Sequence, residues 1–328
     1  MTSLLPLRSS VCLLLTAALA APVALAQTPA PPPAVVSPPI VAAPPPSPIS
    51  GIRNKISAGD LLSAESILEV YRAKYGVDGA AVVGLSWLAR GALLLREPVK
   101  AKRYSGDVRQ IVTERIGKGT DLEKDGDLEY ALGSVLEVEA QLIERASGTA
   151  KAVAFVRGEL ARWPRPMALQ MRLQKRLDLL TLTGSPAPEW VVEDFVGAAP
   201  PTLGSLRGEP VLVFIWSATC SDCKAQAAAL AKVRAKHPEL SLVALTRYSE
   251  DEATARVAEK ARVDSVWKAV YSDVGPAPVV FSTESMIRYG GSSTPTLVFI
   301  DRRGIVRRYS PTRMTEAELD RSVSELLR

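Results

Sequence analysis

The hydrophobic period of this chain changes once, and that change divides what it can fold into. From about Ile52 to Leu182 apolar residues recur three and four positions apart, a spacing that gathers them on one face of a helix. The run Thr183-Gly184-Ser185-Pro186-Ala187-Pro188 is turn and linker chemistry. Beyond it the apolar residues form short continuous blocks, such as Val211 to Trp216, fit for buried strands. The pattern predicts an all-α helical-hairpin domain over residues 51–183 and an α/β domain over residues 184–328.

In the first of these, Leu61, Leu62, Ala64, Ile67, Leu68 and Tyr71 make one stripe that stops near Gly76. A second runs from Val82 to Leu94 and breaks at Glu97-Pro98, where proline suits the first turn of a new helix. Further helices follow at Tyr130 to Ile143, Ala150 to Trp163 and Met167 to Leu182. This succession resembles tetratricopeptide repeats, through Trp87, Gly91 and Ala101, although Arg90 and Leu94 depart from that pattern. The resemblance implies a concave surface for a partner; a bundle that only supports the other domain fits the same residues.

In the second, Val211 to Trp216 and Leu240 to Leu245 read as strands, Ala225 to Val233 and Glu252 to Ala261 as helix, and Ala269 to Tyr271 as a weaker strand. Thr296 to Ile300 and Ile305 to Tyr309 form a hairpin through Asp301-Arg302-Arg303-Gly304, and Glu316 to Leu327 closes with a helix. One mixed central sheet with helices on both faces follows.

The first 26 residues have the form of a secretory signal: basic Arg8, an apolar run from Val11 to Ala20, and Ala24-Leu25-Ala26 ahead of Gln27. Cleavage and export, to the periplasm or an equivalent compartment, is the expectation, with an uncleaved membrane anchor as the alternative. Between Pro29 and Pro48 ten of twenty residues are proline, so residues 27–50 are expected to be a disordered, extended linker, either a spacer or a neutral leader.

Cys12 leaves with the signal, and the mature chain then holds only Cys220 and Cys223. A lone Cys-x-x-Cys pair in an oxidising compartment points to redox chemistry. With one histidine and no third mature cysteine, no structural zinc or other metal site is expected. The net charge of +5 carries no dense Lys/Arg cluster, and aromatics are only 5% of the chain, so no nucleic-acid partner is expected.

Cys220-Ser221-Asp222-Cys223 follows a buried strand and opens a helix. Cys220 therefore sits where unpaired backbone N–H groups favour its thiolate, the form that attacks a disulfide. Cys223, one helical turn on, can resolve the mixed disulfide, so the only redox group needed is the Cys220–Cys223 pair and no separate cofactor is expected. Asp222 bears on this in one of two ways. It is either a first-turn acid that stabilises the helix, or a charge that disfavours the Cys220 thiolate, partly offset by Lys224, and makes the couple more reducing. His237, before Pro238, is expected to be an exposed helix-end residue without a catalytic role.

Ser293-Thr294-Pro295-Thr296 stands just ahead of a strand, about seventy residues after the cysteines. This arrangement resembles the thioredoxin fold, and by that resemblance Thr294-Pro295 is a cis bond packed against the Cys-x-x-Cys, with the Thr294 backbone pairing with substrate. Pro188-Glu189-Trp190, the segment Leu206 to Trp216, Ser292 to Thr296 and Phe299-Ile300-Asp301 resemble, over roughly residues 186–328, the TlpA/ResA-like extracytoplasmic thioredoxins. That family implies reduction of protein disulfides, often in cytochrome c maturation, with electrons from a membrane thiol donor. Three positions depart from it. Thr219 replaces a tryptophan, Phe214 a buried acid or amide, and Gln226 a helix glutamate, which leaves no carboxylate to deprotonate Cys223. The expected function is a protein-disulfide reductase; a non-catalytic scaffold that uses the fold only to dock is the alternative.

Overall fold

The computed structural model describes residues 47–328. The signal-like segment, Cys12 and nearly all of the proline-rich stretch lie outside the described residues. Helix α1 (Ile49–Ser57) begins inside the segment expected to be linker, so ordered structure starts slightly earlier than the periodicity indicated.

Six more helices complete the N-terminal part: α2 (Leu61–Tyr75), α3 (Gly79–Leu94), α4 (Pro98–Gly117), α5 (Gly126–Ser147), α6 (Thr149–Arg162) and α7 (Met167–Thr181). Their starts are written locally. Asp60, Asp78 and Asp125 each accept a hydrogen bond from a backbone N–H of the first turn, and Pro98 opens α4. Helix α3 is buried nearly all round and packs against α1, α2, α4 and α5. Two glycines allow this. A Cβ on Gly84 would lie 2.9 Å from Leu68, and one on Gly91 would lie 2.8 Å from Ile56. Gly91 of the Trp87–Gly91 pair thus lets α1 approach closely, while Trp87 carries the guanidinium groups of Arg53 and Arg90 over its ring at 4.8 and 5.0 Å.

The C-terminal part is a six-stranded mixed sheet with the order β1 (Asp194–Val196), β4 (Val279–Phe281), β3 (Ser241–Thr246), β2 (Val211–Ile215), β5 (Thr296–Ile300), β6 (Val306–Ser310). β3 pairs in parallel with β2 and β4, and the other pairings are antiparallel. Around it lie α8 (Ser221–Lys236), α9 (Ala253–Val270), α10 (Thr283–Arg288) and α11 (Glu316–Leu326). β2 is buried throughout and splits its side chains by parity. Leu212 and Phe214 join Leu230, Trp267 and Leu319, from α8, α9 and α11. Val213 and Ile215 join Met171, Trp190 and Met286 in a second core on the other face. A strand, the Cys-x-x-Cys helix, a parallel strand, an antiparallel hairpin and a last helix make this the thioredoxin-like α/β fold, preceded by an all-α region.

The weak strand expected at Ala269 to Tyr271 is instead the end of α9. Trp267 and Tyr271 stack at 4.5 Å between ring centroids, a contact that four-residue helical spacing produces. The strand lies further on, at Val279–Phe281, and neither β1 nor α10 was marked by periodicity because they span three and six residues.

Candidate active site

β2 delivers the chain at Ile215, a short turn follows, and Cys220 becomes the residue that caps α8. Its backbone is still extended (φ −76°, ψ 114°), and its Sγ accepts the Cys223 backbone N–H at 3.0 Å. One of the orphan donors at a helix start is therefore aimed at this sulfur, which favours negative charge there. Cys220 and Cys223 are joined as a disulfide, with Cα atoms 5.2 Å apart. The two sulfurs differ in access: Cys220 is half-buried and Cys223 is fully buried.

The Thr294–Pro295 peptide bond is cis. It sets the Thr294 carbonyl oxygen 3.4 Å from Cys220 Sγ, across 74 residues of sequence. Thr296 steadies the loop by donating its hydroxyl to the Ser293 carbonyl at 2.7 Å. Cys220, Cys223, Thr294 and Pro295, predicted separately, are thus brought to one place.

The residues expected to adjust the site are more varied. Ser221 and Thr219 are exposed, and the Thr219 hydroxyl pairs with that of Ser217 at 3.0 Å. Asp222 is exposed, and the cation that approaches it is Arg313, at 4.0 Å, rather than Lys224. Gln226 is fully buried, and both ends of its amide are engaged by one residue: Nε2 donates to the Met314 carbonyl at 3.1 Å and Oε1 accepts the Met314 N–H at 2.8 Å. Its work is to tie α8 to the segment leading into α11. His237 is not the exposed residue expected. It is only 9% exposed, with Nε2 2.8 Å from Asp320 Oδ1 on α11. A partner 83 positions away leaves no local signal.

The helical part reaches this site as well. Lys175 of α7 donates to Ser293 Oγ at 3.3 Å and pairs with Glu137 of α5 at 2.8 Å. Trp216, treated in the sequence only as the end of a strand, is fully buried against Trp267 and Tyr271, with ring centroids 5.1 Å away in each case. It lines a cavity of about 350 Å³ that Thr219 and Thr294 also border. Glu129 of α5 lies on the same wall, where burial raises its carboxyl above the ordinary range against the opposing pull of Arg172.

No family model matches the chain, and no curated protein does. Solved structures do. A thioredoxin-like superfamily protein is 24% identical over 44% of this chain and 96% of its own, with a TM-score of 0.37. A thiol-disulfide isomerase from Corynebacterium glutamicum is 19% identical over 44% of this chain and 96% of its own, with a TM-score of 0.37. A secreted Mycobacterium tuberculosis disulfide oxidoreductase, described as homologous to E. coli DsbE, is 20% identical over 40% of this chain and 96% of its own, with a TM-score of 0.33. The strand order and the cis-proline facing a Cys-x-x-Cys at a helix start are features of this chain itself, and on them the C-terminal part has the thioredoxin-like fold.

Proposed function

We propose that the protein reduces protein disulfides outside the cytoplasm, with Cys220 as the attacking and Cys223 as the resolving cysteine. One observation carries this reading: a half-accessible sulfur caps a helix, is bonded to a fully buried partner, and faces the carbonyl before a cis-proline. In the reduced protein the Cys220 thiolate attacks one substrate sulfur. A mixed disulfide forms, and the other substrate sulfur leaves as a thiolate that takes up a proton. Cys223, deprotonated by water, then attacks Cys220 Sγ and releases the second substrate thiol. Two electrons pass to the substrate, and the protein is left with the Cys220–Cys223 disulfide, to be reduced again by a thiol donor at the membrane.

The reductive direction is supported by Asp222, a negative charge in the first turn beside the sulfurs, which disfavours the reduced thiolate form. Export is supported by the signal-like first 26 residues. Among the described residues no helix is long and apolar enough to cross a membrane. The helical region is assigned to holding the substrate or a partner, on the ground that Lys175 reaches the cis-proline loop.

Insulin reduction tests the reading. The intact protein should turn insulin over, Cys220→Ser should abolish turnover, and Cys223→Ser should accumulate mixed disulfides on Cys220. Equal turnover by the intact protein and Cys220→Ser would overturn it.

A further inference from the structure

Two strands end together on the active-site side of the sheet. β2 and β3 run in parallel, and just past β2 the Trp216 N–H donates to the Leu245 carbonyl at 3.0 Å. One strand leads through Ser217 and Thr219 to Cys220, the other directly to Arg247. Ser217, Thr219 and Arg247 all line the cavity of about 350 Å³ beside the active site, together with Thr294 of the cis-proline loop. A crevice at the carboxyl ends of parallel strands is where open α/β sheets take ligands.

Five charged side chains line this cavity, and they do not cancel. The acids are Glu129 of α5 and Glu259 of α9; the cations are Arg172 of α7, Arg247, and Arg262 of α9. Glu259 is engaged within the protein. Its carboxylate accepts the Ser249 hydroxyl at 2.6 Å and the Ser249 and Glu250 N–H groups at 3.0 and 3.3 Å, and it is 7% exposed. Glu129 has one oxygen buried, and burial pushes its carboxyl toward the neutral form. Arg172 is engaged as well, donating to Ser134 Oγ at 2.9 Å and lying over the Tyr130 ring at 4.6 Å. Two cations are left. Arg247 is half-buried, and among the described residues its one bond runs to the carbonyl of the next residue, Tyr248, at 3.1 Å. Arg262 has an exposed side chain 3.6 Å from Glu259, whose oxygens already have nearer donors. The other acids nearby, Asp222, Glu250, Asp251 and Glu252, stand outside the lining, and Asp222 and Asp251 have Arg313 and Arg256 at 4.0 and 3.7 Å.

Guanidinium groups with free donors suit an anion, and a carboxylate can take two parallel N–H bonds from either of them. A cation would be repelled, and an apolar group would leave the donors unmatched. We infer that Arg247 and Arg262 bind a carboxylate that the substrate carries close to its reactive sulfur, so that the cavity selects acidic disulfides. That carboxylate belongs either to an acidic residue flanking the substrate cysteine or to a small thiol acid. The inference rests on the disulfide-exchange reading and adds a substrate class to it. Both arginines are binding residues, because the bonds that form and break are those of the sulfurs.

The test uses two matched pairs of disulfides. One pair is a short peptide disulfide with either Asp or Asn flanking its cysteine; the other is dithiodipropionate, which ends in carboxylates, and bis(2-hydroxyethyl) disulfide, which is uncharged. The readout is the ratio of kcat/KM for the acidic to the neutral member of each pair, in which any effect of the arginines on the Cys220 thiolate cancels. The intact protein should favour the acidic member. Arg247→Gln and Arg262→Gln should each lower that preference by about three- to tenfold, and Arg247→Lys should keep part of it. A fall confined to the peptides assigns the carboxylate to a flanking acidic residue, and a fall confined to the small disulfides assigns it to a thiol acid. Arg313→Gln removes a cation near Asp222 that does not line the cavity, and it should leave both ratios where they are. No acidic preference in the intact protein, ratios unchanged in both cavity variants, or an equal fall in Arg313→Gln would overturn the inference. Failure of the intact protein to exchange with any of the four disulfides would overturn the disulfide-exchange reading and this inference together.

Discussion

Lys175, at the middle of the last N-terminal helix, donates to Ser293 in the cis-proline loop while its backbone presses on Gly290 a few residues before that loop. Gly290 has φ 55°, in the left-handed region, and a Cβ there would overlap the Lys175 backbone. The helical region and the active-site loop are therefore in direct backbone contact.

Gly290→Ala should destabilise the protein by roughly 2–4 kcal/mol, combining left-handed strain with overpacking against a backbone that cannot yield. Gly106, exposed inside α4 with open space around it, is the contrast. Gly106→Ala should stabilise by about 0.5–1 kcal/mol. Urea unfolding of both variants measures the difference.

Asp178 of α7 is 3% exposed, and burial pushes its carboxyl up from 3.8 to about 7, against a hydrogen bond from Gln174. With the folded value above the unfolded one, the unfolded chain releases its proton first as pH rises. Stability is then greatest below about pH 4 on account of this group and falls from there to about pH 7, by about 1.4 kcal/mol per unit at most. Asp178→Asn keeps the acceptor for Gln174 and removes the ionisation. Thermal melts should show it more stable than the parent at pH 8, with the gap closing near pH 4.

Gln226 holds Met314 by a donor and an acceptor at once, so the glutamate that resemblance would place there cannot serve. Gln226→Glu removes the donor and sets a carboxylate against a carbonyl inside the core. A loss of roughly 2–4 kcal/mol at pH 7 is expected. Because a protonated carboxyl can donate to that carbonyl, the loss should shrink as pH falls through the raised value of the new group, which a series of urea melts between pH 4 and 8 would show.

Asp222 is exposed, and its nearest cation, Arg313, stands 4.0 Å away. Removing a negative charge beside the sulfurs favours the reduced form, so Asp222→Asn should raise the reduction potential. Solvent screening keeps the effect to about 10–20 mV. Equilibration against a glutathione redox buffer measures it, and a fall in potential would reverse the role given to this residue.

What could be read from the chain is what its local order encodes. The cysteine pair belongs at a helix start because an apolar strand precedes it and an apolar helix face follows. The turn marks the hairpin at Thr296 to Tyr309, and family likeness implies the cis bond at Pro295. The pieces that escaped depend on distance or brevity. Ala269 to Tyr271 looks strand-like in a short window, and only the stacking of Tyr271 on Trp267 shows the helix. Val279–Phe281 is too short for a period. The pairs His237–Asp320, Gln226–Met314 and Lys175–Ser293 join residues 83, 88 and 118 positions apart. Glu129 and Trp216 gave no sign of sharing a wall, since each follows the apolar logic of its own element.

Helix α7 has two dry sides: Leu169 and Leu173 belong to the helical core, while Met171 and Leu182, the latter at its end, belong to the core under the sheet. A fragment cut at the Gly184 turn would strip Val213 and Ile215 of part of their cover. Anyone wishing to study the redox half alone would have to carry α7 along with it or blunt the bared surface with polar substitutions.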